Sequence, residues 1–403
     1  MKIIRIISRL IVGIIFIFSG FVKAIDPLGT AYKFSDYFEA FHMEFLGSLS
    51  LVLSILLSLS ELIIGISLLL GLRMKITSWF LLIFMSGFTL ITLKLAISNP
   101  VTDCGCFGDA IILTNWQTFK KNIIILVPTI FIFIQRDNYI PFYSATKEWI
   151  LEFIFLCGIV TFALFNYNNL PMIDFRPYKI GTNISEAMTI PDGSPKDEYK
   201  FSFIYEKNGK KKEFSIENIP DSTWNWVETK QELLQKGYVP PIHDFSITTL
   251  GGTDITRDVL NDTNYVMLMV AYDLKKADKN SMLRLSDLTG DLSELNCKVI
   301  GITSSTFDII DNFLTMHKPA YQICTADIIT LKTIVRSNPG MVLLKKGKII
   351  NKWHYRNFPK EIKENLLAFS LNQMRWNRSM LMVLITGLIF ILVAVIYHLI
   401  NRE

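Results

Sequence analysis

Residues 4–21, IRIISRLIVGIIFIFSGF, decide the class of fold. A helix needs about 20 largely apolar residues to cross a bilayer, and this run qualifies, with Arg5 and Arg9 near its start. A secretory leader also opens on basic residues. Here no small-residue cleavage site follows, and Lys23 and Asp26 come directly after, so a retained spanning helix is expected. Further apolar runs at 47–71, 77–97, 122–135, 148–166 and 379–399 bring the expected spans to six. The rest of the composition agrees. Half of the 403 residues are hydrophobic and only 19% are charged, where soluble chains carry about 25%. The net charge of +5 forms no basic stripe, so nucleic acid is not an expected partner.

Orientation follows from basic residues in short loops. An inside N-terminus puts Lys2, Arg5, Arg9, Arg73, Lys75, Arg136, Lys147 and Arg402 in the cytoplasm; Arg375 and Arg378 argue the other way. The balance predicts a multi-pass protein of the bacterial inner membrane, with the lipid bilayer around its helices and residues 168–378 on the periplasmic side.

The expected domains are a four-helix membrane bundle (1–140), a fifth transmembrane helix (147–167), a β-rich insert (168–237), an α/β domain (238–373) and a last transmembrane helix (379–399). In the insert, FSFIYEKNGKKKEFSI (201–216) reads as a hairpin turning at Asn208-Gly209. Strands are expected at 242–250, 264–273 and 297–305, with an extended piece at 320–324. The second is almost continuously apolar, as in a strand buried on both faces. Helices are expected at 279–295, 306–317, 326–336 and 359–373, and a hairpin at 341–354 turns at Lys346-Gly347.

This order resembles the thioredoxin fold of TlpA-like proteins, and NPGMVLLKKGKIINKW resembles their segment from the cis-proline into the last hairpin. The resemblance implies a cis bond at Asn338-Pro339. It also implies that a redox-active member would carry Cys-x-x-Cys near residues 273–278, where this chain reads DLKKAD. The domain is therefore expected to dock partner proteins rather than exchange disulfides at that position.

The candidate chemistry lies in DCGCFGD (103–109), between the third and fourth spans. Cysteines separated by one glycine can close a very small, strained disulfide ring, and strained disulfides are the labile ones. A structural clip, or a turn with two free thiols, is the alternative. Asp103 and Asp109 would be expected to raise a thiol pKa. Two thiolates with no histidine near do not make a metal site. Glu61, mid-span in the second helix, is a functional candidate because ionisable groups in a membrane are costly. It could relay a proton, contact a quinone, or bond to Ser58, Ser60 or Lys94. Cys157 reads as an apolar filler, and Cys297 and Cys324 as unpaired.

The first four spans, about 135 residues, resemble the DoxX/MauE family, and more distantly the vitamin K epoxide reductase bundle. The matching positions are Arg9, Gly13, Phe16, Ser19, Gly20 and Lys23 in the first span, Glu61 and Gly65 in the second, and DCGCFGD after the third. The resemblance to MauE, linked to disulfide formation in methylamine dehydrogenase maturation, implies that Cys104 and Cys106 are a redox pair. The electron acceptor would be a membrane quinone and the thiol donor a periplasmic protein. The competing expectation is a non-enzymatic, membrane-anchored binding or assembly protein with a degenerate thioredoxin fold.

Overall fold

The computed structural model describes residues 2–362 except 102, 142 and 236, together with 365–368, 370, 371, 379 and 382. The span expected at 379–399 lies, but for two positions, outside the described residues. The N-terminal part runs α1 (Lys2–Ile25), α2 (Pro27–Ala40), α3 (Ser50–Leu70), α4 (Met74–Ser98), α5 (Asn115–Ile134) and α6 (Ala145–Asn168). All but α2 are long and apolar enough to cross a membrane. Their outward faces are Ile, Leu, Phe and Trp, as a lipid-facing surface requires.

Two elements depart from expectation. Helix α5 starts at Asn115, well before residue 122, because its first turns are amphipathic: Asn115, Thr118 and Asn122 are buried toward the bundle. Polar residues on an inward face interrupt an apolar run without interrupting a helix. Helix α2 falls in a segment expected to be loop. Asp26 caps it by accepting from Gly29 N at 2.9 Å, and Pro27 occupies its first turn, where a missing N–H costs nothing.

The closest packing is between α1 and α3, which run antiparallel. A Cβ on Gly20 would lie 2.9 Å from the backbone of Ser58 and Leu62, and one on Gly65 2.8 Å from Ile17 N. Only glycine permits such an approach. At one end of this seam Arg9 donates to the carbonyls of Leu68 (2.8 Å) and Leu69 (3.2 Å), the negative end of the α3 dipole. At the other end Lys23 meets Glu61.

The C-terminal part contains α7 (Ile184–Ala187), β1 (Glu198–Lys207), β2 (Lys210–Ser215), β3 (Asn225–Gln235), β4 (Thr248–Thr249), α8 (Thr256–Asn261), β5 (Tyr265–Val270), α9 (Lys279–Glu294), β6 (Cys297–Thr303), α10 (Phe307–His317), β7 (Gln322–Thr325), α11 (Ile328–Ile334), β8 (Gly340–Lys345) and β9 (Lys348–His354). The main sheet has the order β4-β7-β6-β5-β8-β9, with β5, β6 and β7 parallel and β8 antiparallel to β5 and β9. Hydrophobic clusters cover both faces. Each fully buried Leu, Ile or Val there is worth roughly 1.5–3 kcal/mol. Parallel central strands, an antiparallel closing hairpin and the cis Asn338-Pro339 bond leading into β8 make this a thioredoxin-like domain.

The strand expected at 242–250 shrinks to Thr248–Thr249, at the sheet edge beside β7. Ile242 and Ile247 are buried, but the chain between them packs without a ladder partner. The expected helix at 359–373 is helical at 366–368, 370 and 371, whereas 359–362 and 365 are not. In the insert, β1 and β2 turn at Asn208-Gly209, both with positive φ, and the polar β3 pairs β1 on its other side. Residues 170–188, grouped with the insert by composition, instead pack on the main sheet, where Tyr178 and Ile184 are buried.

Candidate functional site

The loop between α4 and α5 is held at both ends. Asn115 Nδ2 donates to Asn99 Oδ1 (2.8 Å) and to Val101 O (2.7 Å), while Thr114 and Gln117 form a capping box on α5. Within it Cys104 and Cys106 are half-buried, their sulfurs 2.9 Å apart as free thiols. Gly105 between them has φ +63°, a region other residues rarely adopt.

The residues around the pair come from three helices. Tyr37 on α2 donates its hydroxyl to Cys104 O (2.7 Å). Thr118 on α5 has its Oγ1 3.2 Å from Cys104 Sγ. On α1, Ser19 Oγ (2.8 Å) and Lys23 Nζ (2.6 Å) both donate to Cys106 O. Lys23 also reaches Ser19 Oγ (2.7 Å) and both Glu61 oxygens (2.8 and 3.0 Å). The Lys23 and Glu61 side chains are only 3% and 7% exposed. Glu61 therefore acts on the loop through Lys23. The Glu61–Lys94 pair is not formed: Lys94 sits over the Phe41 ring at 4.3 Å.

The two thiols differ. The hydrogen bond from Cys106 brings Cys104 down to about 6; burial opposes this, and Thr118 and the Lys121 charge add to it. The same bond, together with burial, pushes Cys106 well above the ordinary thiol range. The flanking carboxylates do not set either shift and are both engaged elsewhere. Asp103 pairs with Lys33 (2.8 Å) and accepts from Gly105 N (2.9 Å), and Asp109 pairs with Arg336 (3.1 Å). One thiol poised as a thiolate beside one held protonated is the asymmetry thiol–disulfide exchange uses.

Arg336, two positions before the cis bond's Asn338, belongs to the α/β domain. It also donates to both oxygens of Asp26 (2.8 and 3.1 Å) at the α1–α2 junction. Nearby, Tyr32 and Tyr272 hydroxyls are 3.1 Å apart, and Lys332 lies over the Tyr32 ring at 4.7 Å. Tyr272 and Asp273 stand where a Cys-x-x-Cys would begin, and Asn338 Nδ2 donates to Asp273 O (2.8 Å). The edge of the domain that would carry a dithiol thus rests on its own membrane bundle. A cleft of about 320 Å³ remains between the two, walled by Gly105, Gly108, Lys33, Lys332 and Arg336.

The other cysteines are separate from this site. Cys157 is exposed on α6, and Cys297 and Cys324 are buried in clusters on opposite faces of the main sheet. Ser19, Lys23, Tyr37, Thr118 and Arg336 were not anticipated as site residues. Ser19 and Lys23 could have been, since they are one helical turn apart within the α1 motif. No local signal marks Arg336.

Among solved structures, a hypothetical protein from Sinorhizobium meliloti is 14% identical, with 26% of this chain and 63% of that one covered and a TM-score of 0.23. A cysteine-to-serine variant of Xanthomonas campestris peroxiredoxin Q is 14% identical, covering 28% and 80%, with a TM-score of 0.22. A candidate protein disulfide isomerase from Bacteroides thetaiotaomicron is 19% identical, covering 33% and 84%, with a TM-score of 0.23. The chain spans less than two thirds of the Sinorhizobium protein. No curated protein matches the sequence. Residues 199–236 match a domain of unknown function (DUF8463). Residues 1–135, which hold the CGC loop and every bundle side chain that fixes it, match the family described as methylamine utilisation protein MauE.

Proposed function

We propose that this multi-pass membrane protein carries out thiol–disulfide exchange at Cys104 and Cys106, on the periplasmic side of a bacterial inner membrane. The observation that carries this reading is the pair itself: adjacent sulfurs, one thiol lowered and one raised, in a loop fixed through both cysteine carbonyls.

In the oxidising direction a substrate thiolate attacks Cys106 Sγ of the disulfide. The Cys104–Cys106 bond breaks, and Cys104 leaves as the thiolate, the better leaving group because its pKa is the lower. A second substrate thiolate then breaks the mixed disulfide. The substrate gains a disulfide, and the pair is left with two electrons more. Returning those electrons with two protons to a membrane quinone yields a quinol and restores the disulfide. Glu61 and Lys23 serve as positioning residues in this scheme, since they reach the pair through the Cys106 carbonyl. The cleft beside Gly105 is the water-side route for a periplasmic protein's thiol.

Thiol trapping of Cys104 and Cys106 in intact membranes, before and after adding a reductant or an oxidised quinone, tests the reading. A pair whose state follows the quinone pool supports it. A pair fixed in one state, or full function in a Cys104→Ser/Cys106→Ser variant, refutes it and returns weight to a binding or assembly role, which the missing Cys-x-x-Cys favours.

A further inference from the structure

The contact between the α/β domain and the bundle involves the redox loop directly. Arg336 makes three hydrogen bonds to two carboxylates, and its side chain is only 7% exposed. One carboxylate, Asp26, belongs to the fixed end of α1 and already caps α2. The other, Asp109, belongs to the DCGCFGD loop itself, three positions after Cys106. Arg336 therefore ties the CGC loop to the α1–α2 junction. A guanidinium suits this because its donors lie in one plane: Nε meets both Asp26 oxygens while Nη2 reaches Asp109. The Tyr32–Tyr272 contact and Lys332 over Tyr32 hold the same edge of the domain down.

We propose that the thioredoxin-like domain is a redox-silent clamp on the CGC loop, and that Arg336, through Asp109, couples the contact between domain and bundle to the redox state of the Cys104–Cys106 pair. Closing the Cys104–Cys106 bond draws the backbone around Gly105 into a small ring, which reshapes the loop that carries Asp109. A contact fitted to one loop shape stabilises the redox state that has this shape. By linkage, the redox state must then bias the contact equally. This rests on the redox reading above and adds to it a role for a domain that has no dithiol of its own.

The test uses the full chain in detergent, equilibrated in dithiothreitol redox buffers. Mass spectrometry of the alkylated peptide carrying both cysteines gives the ratio of disulfide to dithiol. Arg336→Gln is expected to change that ratio about tenfold at a fixed buffer, a shift in potential of about 30 mV. Arg336→Lys should fall between it and the native chain. Asp109→Asn removes the loop's side of the clasp while leaving Arg336 on Asp26, and should shift the ratio in the same direction. It decides the matter if Arg336→Gln does not fold. A ratio unchanged, or shifted in opposite directions by Arg336→Gln and Asp109→Asn, in the folded variants overturns the clamp while leaving the redox reading intact. A native pair that forms no disulfide in any buffer overturns both.

Discussion

Glu61 and Lys23 should behave as one unit, and a double-mutant cycle measures it. Glu61→Leu leaves the Lys23 ammonium buried in the bundle without its counter-charge. Breaking a buried ion pair from one side costs about 3–5 kcal/mol. The lower end applies here because Lys23 keeps Ser19 Oγ and Cys106 O as acceptors. At roughly 2–4 °C per kcal/mol for a domain of this size, thermal inactivation should fall by on the order of 10 °C. Lys23→Met should cost about the same, since it strands the carboxylate. The double variant Glu61→Leu/Lys23→Met removes both charges and should regain most of the loss, because apolar replacement of a whole buried pair is often neutral. It should not regain exchange activity: Cys106 O would be held by Ser19 alone. The assay is monodisperse recovery after graded heating in detergent, paired with thiol trapping. If the two single losses simply add in the double variant, the pair is not formed in the folded bundle and the reasoning fails.

Alkylation of Cys104 should persist down to about pH 6 and fall away below it, as the thiolate protonates; Cys106→Ala, which removes the donor, should move that midpoint upward, and a midpoint left unmoved would contradict the hydrogen-bond origin of the shift. Thr118→Val should raise the same midpoint by a smaller amount, read from the same rate–pH profile. In the α/β domain, Asp174 bonds Arg176 (2.7 Å) and Lys352 (2.9 Å). Burial alone would raise its carboxyl, but the two cations hold it well below the usual range. Its contribution to stability is therefore complete above the ordinary aspartate pKa of about 3.9 and fades as pH falls through the lower folded value. Asp174→Asn should destabilise the domain by about 3–5 kcal/mol at neutral pH by stranding two buried cations, and denaturant midpoints for the variant and the native chain should converge in acid.

Much of this was legible because the physics is local. Apolar length marks spans, so α1, α3, α4 and α6 are read within a few residues. Apolar continuity marks β5 and β6, and Asn208-Gly209 marks its turn through positive φ. What escaped depends on partners remote in sequence. The first turns of α5 and the whole of α2 hide because their polar residues face protein rather than water. The strand β3 hides because Thr229–Gln231 alternates with no apolar face, and only pairing with β1 makes it extended. The CGC pair is visible as spacing, but the inequality of its thiols is not. That arises from the hydrogen bond between the two thiols and from burial, with Thr118 adding to it on the Cys104 side. Glu61 was identified by cost alone, and its partner by analogy of depth (Lys94) where helix packing chose Lys23.

The path from α6 into the α/β domain is short. Asn168 ends the helix, Asn169 accepts from Asn357 at 2.7 Å, and by Tyr178 the chain is in the sheet core. A tether of that length keeps the domain at millimolar effective concentration over the bundle. A handful of contacts around Arg336 that would not hold two separate proteins together can therefore hold these two, and can let go and re-form without the domain drifting away.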